Sequence, residues 1–387
     1  MQARSAPSVG TGLNAAEGSG MDLPAPRLCI VGPLPPPSGG MANQCEQLVR
    51  LLRADGVTVN LVRNNAPYQP AWVGGIPVVR AAFRLVPYLW QLWQAAGQAQ
   101  VMHVLANSGW AWHLFAAPAL VIARLRGCSA IVNYRGGHAD AFFSGAPRQV
   151  LRLIAGATLR VTPSAFLLRV FRHHGLDAEV IPNIIDLSRF APAAPRQVNG
   201  APHLIVTRNL EPIYDCPTAL RAFSIVRRAM PGARLTVAGS GPDLAALQAL
   251  AAELGMADAV RFSGRIDNDR IPALYADADL VLNPSTVDNM PISILEAFAS
   301  GVPVVSTDAG GIPDLVTHDK DGLLVPIGDA DAMAAAALRV LGDTSLSARL
   351  REAGLQAAQQ YAWTSVRRLW LDAYRRAARA ARRREPA

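Results

Sequence analysis

Lysine is almost missing from this chain of 387 residues. Of its 37 basic side chains, Lys320 alone is not arginine. Chemistry that needs an amine, such as a Schiff base, therefore has one candidate, in a loop-like HDKDG segment. Cysteine is scarce too. Cys29, Cys45, Cys128 and Cys216 contain no Cys-x-x-Cys pair, and the seven histidines form no His-Glu-x-x-His. Zinc spacings are thus absent, and four scattered thiols fit a reducing, cytoplasmic setting. No apolar run reaches the ~18–20 residues of a membrane span. The nearest, Trp110 to Ala123, is interrupted by His113 and Pro118. Residues 1–24 lack the apolar block of a secretory signal and read as a disordered leader. Charged residues make up only 17% against the usual ~25%, with mean hydropathy +0.18, which excludes a chain that stays disordered throughout.

What remains is enough apolar chain for two cores of about 150–200 residues. Charge divides along the same line. Residues 1–192 carry 16 basic and 8 acidic side chains, residues 193–360 carry 13 and 19, and residues 361–387 carry 8 and 2. Basic flanks around an acidic middle point to an anionic partner, such as a membrane surface, for the first part and the tail. From Arg27 to Gly32 runs a short apolar strand, followed by a Pro- and Gly-rich loop (33–40) and a helical stretch from Met41 to Ala54. Strand patterns recur at 57–62, 101–105, 130–134, 159–162 and 179–181, with helical patterns between them. Ala191 to Pro202 reads as a linker. Alternation then restarts with strands at 204–207, 234–238, 260–263, 280–282 and 304–306, so two parallel doubly wound sheets are expected. A last helix, 361–384, sets Trp363, Val366, Trp370, Ala373 and Tyr374 on one stripe and arginines elsewhere.

The most informative segment is NPSTVDNMPISILEAFASGVPVVSTDAGG, Asn283 to Gly311. It reads as a strand end, a loop carrying Asp288, and a helix starting near Pro291 and Ile292. Free amides at a helix start suit a phosphate, and Glu296 farther in suits the paired hydroxyls of a ribose. Spacing alone reads equally well as a capped helix with a hydrogen-bonded Glu.

This segment resembles the E-x7-E element of retaining glycosyltransferase family 4, the glycosyl transferases group 1. The resemblance runs along about 300 residues in the family's order. It takes in Gly32 to Met41 with its Gly39-Gly40 pair, IPNIID (Ile181 to Asp186) with Phe190, AGSGPD (Ala238 to Asp243), FSGRI (Phe262 to Ile266) and DGLLVP (Asp321 to Pro326). It implies the α/β fold GT-B: two Rossmann-like domains facing across a cleft, with the last helix crossing back to the first. The implied division is an acceptor domain at 25–192, a linker at 193–202, a nucleotide-sugar donor domain at 203–360, and the returning helix at 361–387. Donor contacts implied are Gly39, Gly40, Arg208, Ser240, Gly241, Arg265, Asn289, Met290, Pro291, Ile292 and Glu296, with Asp288 on the sugar. Arg135 and His138 would face the acceptor or the departing phosphate. No cofactor, divalent metal or nucleic acid is expected.

The chain departs from the pattern in three places. Asp288 and Asn289 stand where the family has Glu and Gly. Tyr214 stands where a lysine would complete a phosphate clamp with Arg208. Arg135, in IVNYRGGH (Ile131 to His138), occupies a position where the family reads His. A separate feature is RAAFRLVPYLWQLWQAAGQ, Arg80 to Gln98. Arg80, Arg84, Gln91, Gln94 and Gln98 form one narrow polar stripe, and Phe83, Leu85, Val86, Leu89, Trp90, Leu92 and Trp93 fill the rest. Either this helix lies in a bilayer interface or it is buried against the first sheet.

The expectation is a retaining glycosyltransferase that moves a sugar from a UDP- or GDP-linked donor to a lipid-linked or growing glycan in polysaccharide or glycoconjugate assembly. It would work at the cytoplasmic face of the membrane. The alternative is a subunit of a glycan assembly complex that binds nucleotide sugar and no longer turns it over. A pyridoxal-phosphate phosphorylase is discarded for want of a suitable lysine, and an epimerase would lack the N-terminal and IPN-type elements.

Overall fold

The computed structural model describes residues 26–36, 39–67, 77–192 and 201–382. The proposed leader, most of the proposed linker and the last five residues lie outside these. Twelve described strands form two six-stranded sheets with every pairing parallel. The first contains β1 (Leu28–Gly32), β2 (Val59–Arg63), β3 (Val101–Ala106), β4 (Ser129–Tyr134), β5 (Leu159–Thr162) and β6 (Glu179–Val180), in the order β2-β1-β3-β4-β5-β6. The second contains β7 (His203–Val206), β8 (Arg234–Ala238), β9 (Val260–Gly264), β10 (Leu280–Asn283), β11 (Val304–Thr307) and β12 (Leu323–Val325), in the order β12-β11-β10-β7-β8-β9. Helices cover both faces of the central strands, so β1, β3, β4, β7, β10 and β11 are buried at every residue. That is why they read as apolar runs rather than alternating ones.

Each sheet reverses its winding once, between β1 and β3 in the first and between β7 and β10 in the second. Loops leaving the carboxyl ends of strands at such a point diverge and open a crevice. Gly39-Gly40 follows β1, Arg208 follows β7, and Asp288 follows β10, so both crevices contribute to one cleft.

The expected crossing of the last helix is present. Trp363–Arg382 lays Val366, Trp370, Ala373 and Tyr374 against Leu28, Ile30, Val101 and Ile131 of the first sheet. Tyr374 Oη lies 2.8 Å from His103 Nδ1, and Trp370 stacks on the same imidazole at 4.6 Å. Burial, then the nearby Arg135 charge, pushes the His103 pKa down to about 3, so the ring is neutral. At the helix start, Asp55 accepts from Trp363 Nε1 and pairs with Arg367.

The Pro77–Gln98 helix is buried against the first half only in part. Tyr88, Leu92, Ala95 and Ala96 enter the core, whereas Phe83, Val86, Leu89, Trp90 and Trp93 stay exposed. Val86, Leu89, Trp90 and Trp93, together with Pro118, Val121 and Ile122 of the Ala117–Leu125 helix, line an apolar groove.

Candidate active site

The cleft between the sheets measures about 500 Å³. From the second sheet, Arg208 enters it with a side chain only 10% exposed. Its Nη2 pairs with Asp288, its Nη1 donates to Ser293 Oγ at 3.3 Å, and its guanidinium lies 4.1 Å from the Tyr214 ring centre. Burial acts to lower the Arg208 pKa, but Asp288 and Tyr214 outweigh it and the net shift is upward. Asp288 in turn accepts from Met290 N at 3.2 Å. Gly310 and Gly311 back this loop so closely that a Cβ on either would collide with the Asp288 or Asn289 carbonyl oxygen, which requires glycine at both.

The Ile292–Ala299 helix begins at Pro291, and no side chain caps its first turn. Its leading amides therefore lack a side-chain acceptor, an arrangement that suits an anion. Glu296, one turn in, accepts from Tyr275 Oη at 2.9 Å, with Thr207 Oγ1 2.7 Å behind that hydroxyl. Burial raises the Glu296 pKa to about 7, against the hydrogen bond from Tyr275 and the charges of Arg189 and Arg208. Arg265, after β9, is exposed on the lining.

From the first sheet come Gly39 and Gly40. They open the Gly40–Ala54 helix, whose N-terminus also lacks a side-chain cap, and a Cβ on Gly40 would sit 3.5 Å from Ile292 Cδ1. Arg135 leaves β4 and spans the cleft: its Nη1 donates to Asn183 Oδ1 at 2.7 Å, and its carbonyl accepts from Asn289 Nδ2 at 3.0 Å. Asn183 Nδ2 continues to the Met290 carbonyl at 2.9 Å. His138 is exposed on the lining, at the start of the Ala139–Gly145 helix.

Met290, Pro291, Ile292, Asp288, Asn289 and Glu296 thus converge with Arg208, Arg135, His138, Arg265, Gly39 and Gly40 on one cavity. Ser240 and Gly241 do not line it. Ser240 O accepts from Leu210 N at 3.1 Å, and a Cβ on Gly241 would collide with the Leu210 carbonyl. The turn they form buttresses the Arg208 loop from behind, and Ala238 and Gly239 face the cleft in their place. Tyr275, Asn183 and Ser293 are the additions that sequence reasoning did not select. Asn183 lies inside the IPNIID motif, while Tyr275 carries no local signal at all. Among the described residues, one His/Asp cluster could hold a metal ion: Asp140, His173 and His174, none of which lines the cleft.

Residues 191–357 match the sequence model of the family described as glycosyl transferases group 1. A GDP-mannose-dependent alpha-(1-6)-phosphatidylinositol monomannoside mannosyltransferase of Mycobacterium tuberculosis H37Rv is 30% identical over 378 residues, covering 88% of this chain and 95% of that one. Its namesake from Mycolicibacterium smegmatis is 30% identical over 363 residues, covering 84% and 92%. Two solved structures share the fold at 19% identity. Anabaena HepE in complex with UDP and glucose has a TM-score of 0.69 over 90% of this chain and 99% of its own. Sucrose-phosphate synthase of Thermosynechococcus elongatus has 0.72 over 92% and 100%.

Proposed function

Since the chain belongs to the glycosyl transferases group 1 and is a glycosyltransferase of GT-B fold, we propose that it transfers a hexose with retention from a nucleotide-diphosphate sugar to a lipid-linked or growing glycan acceptor. The observation that carries this reading is the meeting of Arg208, Asp288, Glu296 and an uncapped helix start at the switch point of the second sheet. Glu296 holds the ribose hydroxyls. Arg208 and the first amides of the Ile292–Ala299 helix hold the diphosphate, and Asp288 meets the sugar.

Same-face displacement is the reading that the carboxylates support. The acids lining the cleft are Glu211, Asp288 and Glu296. Asp288 is engaged by Arg208, Glu296 by Tyr275 and Glu211 by Asn209, so none of the three stands free as a nucleophile opposite an acid. Arginine and backbone amides supply the charge stabilisation that a divalent ion would otherwise provide. The test is release of nucleoside diphosphate in the presence of EDTA across a donor panel. GDP-mannose comes first, because the mycobacterial relatives are named for it. Tight nucleotide binding with no turnover on any donor would favour the binding-only subunit instead.

The acceptor side supports work at a membrane face. No helix among the described residues is long and apolar enough to cross a membrane. Trp90 and Val86 are nonetheless 62% and 66% exposed beside Leu125 at 68%, and Arg124, Arg126, Arg148 and Arg152 are exposed on the same half. An apolar patch with Arg126 stacked on its Trp93, in a basic half of the chain, fits an anionic lipid surface, with tryptophan at headgroup depth. Sedimentation with phosphatidylglycerol vesicles should show binding at low salt that weakens as ionic strength rises. Replacing both Trp90 and Trp93 with alanine should weaken it further. A protein that stays in the supernatant at low salt would end this part of the proposal.

A further inference from the structure

Three arginines line the cleft, and their charges are not equally available. Arg208 is neutralised by Asp288. Arg265 is exposed, where water and salt screen it. Arg135 is the opposite case. No carboxylate pairs with it among the described residues. Its one side-chain partner is the neutral Asn183 Oδ1, and its Nε is buried without any. Burial lowers its pKa to about 10, which leaves it charged at neutral pH. A half-buried cation without a counter-charge, its Nε shut off from water, is costly, and a ligand anion that reaches it recovers part of that cost.

Its position identifies the anion. Through its own carbonyl and through Asn183, Arg135 is tied to Asn289 and Met290, the two residues that lead into the uncapped start of the Ile292–Ala299 helix. From the second sheet, Arg208 reaches Asp288 and Ser293 beside the same start. The next side chain on the Arg208 side is Tyr214, a neutral ring covering the guanidinium, so no second cation is supplied there.

We propose that Arg135 supplies, from the first sheet, the second positive charge on the diphosphate of the donor and of the departing nucleotide. This rests on the nucleotide-sugar reading above. In the transfer step the bond from the anomeric carbon to the phosphate oxygen breaks with its electron pair on that oxygen. The acceptor oxygen bonds the same carbon from the same face, and its proton passes to the departing phosphate. Negative charge therefore grows on the diphosphate, in the cavity that Arg135 and Arg208 both line, and a fixed guanidinium stabilises the transition state more than the bound donor. Because one arginine belongs to each sheet, the diphosphate also bridges the two halves and favours a closed cleft.

Calorimetry on the full chain tests this with GDP and UDP against GMP and UMP. Arg135→Gln should weaken diphosphate binding by about 10-fold or more, the loss expected for hydrogen bonds to a charged group. It should weaken monophosphate binding far less. Adding Tyr214→Lys to that variant should recover most of the lost affinity, since it places a cation beside Arg208 again. Arg135→Lys, which keeps the charge, should retain the preference for diphosphate even if the Gln variant folds poorly. Glu296→Gln serves as the control for the underlying reading, because it should weaken diphosphate and monophosphate alike. If Glu296→Gln loses nucleotide while Arg135→Gln binds diphosphate as the parent does, the nucleotide site stands and this assignment is overturned. If no variant alters nucleotide binding, the donor-site reading falls as well.

Discussion

Glu296→Gln should weaken binding of both donor and free nucleoside diphosphate, whereas Asp288→Asn should lower turnover without weakening the nucleotide. The two acids lie eight residues apart but face different parts of the cleft. Glu296 is fixed by Tyr275 with its charge largely withdrawn from water. Its amide variant keeps one acceptor and loses charge-assisted hydrogen bonds of ~1.5–3 kcal/mol, which is about 10- to 150-fold in affinity. Asp288 instead pairs with Arg208. With Asp288 on the sugar, Asp288→Asn leaves the nucleotide contacts themselves in place. The ion pair adds a direction: freeing Arg208 should leave that affinity equal or tighter. Calorimetry beside a turnover assay reads both, and equal loss of nucleotide by the two variants would reverse the assignment of roles.

A pH series gives Glu296 a second signature. Its pKa stands near 7 in the fold against 4.5 for an ordinary glutamate. A raised folded-state pKa means that the folded protein holds this proton more tightly than the unfolded chain. The stability it confers is therefore complete below about pH 4.5 and is lost as pH rises through 7, by about 3 kcal/mol in all. Glu296→Gln should flatten that part of the ligand-free stability profile in denaturant titrations between pH 5 and 8. Nucleotide binding should move the opposite way, strengthening as pH rises through 7, because the ribose hydroxyls donate to the ionised carboxylate. A Glu296→Gln profile as steep as the parent's would show that another group carries the dependence.

Legibility in the sequence followed burial and distance along the chain. Strands such as β1 and β10 were readable because both faces are covered, which leaves LCIVG and the LVL of LVLN without polar interruption. The three-residue β12 carries too little chain to separate it from its loop. The Ala330–Gly342 helix escaped notice because ADAMAAAALRVLG offers little contrast between faces. Site residues on one loop and helix, Asp288 to Glu296, could be read together since the helix fixes their spacing. Partners joined only by the fold could not. Arg208 and Asp288 are 80 residues apart, and Asn183 and Met290 are 107 apart. Tyr275 ends a short helix that no pattern connects to Glu296, and only the packing of that helix beneath the cleft brings its hydroxyl there.

Arg208→Ala should have the largest effect of any single change on the donor side, and its interpretation depends on Asp288. Truncating one member of a partly buried ion pair leaves the other without a counter-charge, which by itself destabilises a fold by about 3–5 kcal/mol. Loss of nucleotide binding in Arg208→Ala alone could thus reflect a collapsed loop. The Arg208→Ala/Asp288→Asn double variant removes both charges and should recover most of the stability in thermal melts. Its nucleoside diphosphate affinity should stay at least about 10-fold below that of Asp288→Asn alone, since the bidentate phosphate contact has gone. Tyr214→Lys should act in the other direction. It exchanges a ring stacked on Arg208 for a second cation, so the empty protein should lose some stability through like-charge repulsion. A bound diphosphate relieves that repulsion, and its affinity should rise. A folded Tyr214→Lys protein with weaker diphosphate binding would mean that the ring itself, by holding the Arg208 guanidinium in place, contributes more to the site than a second charge can.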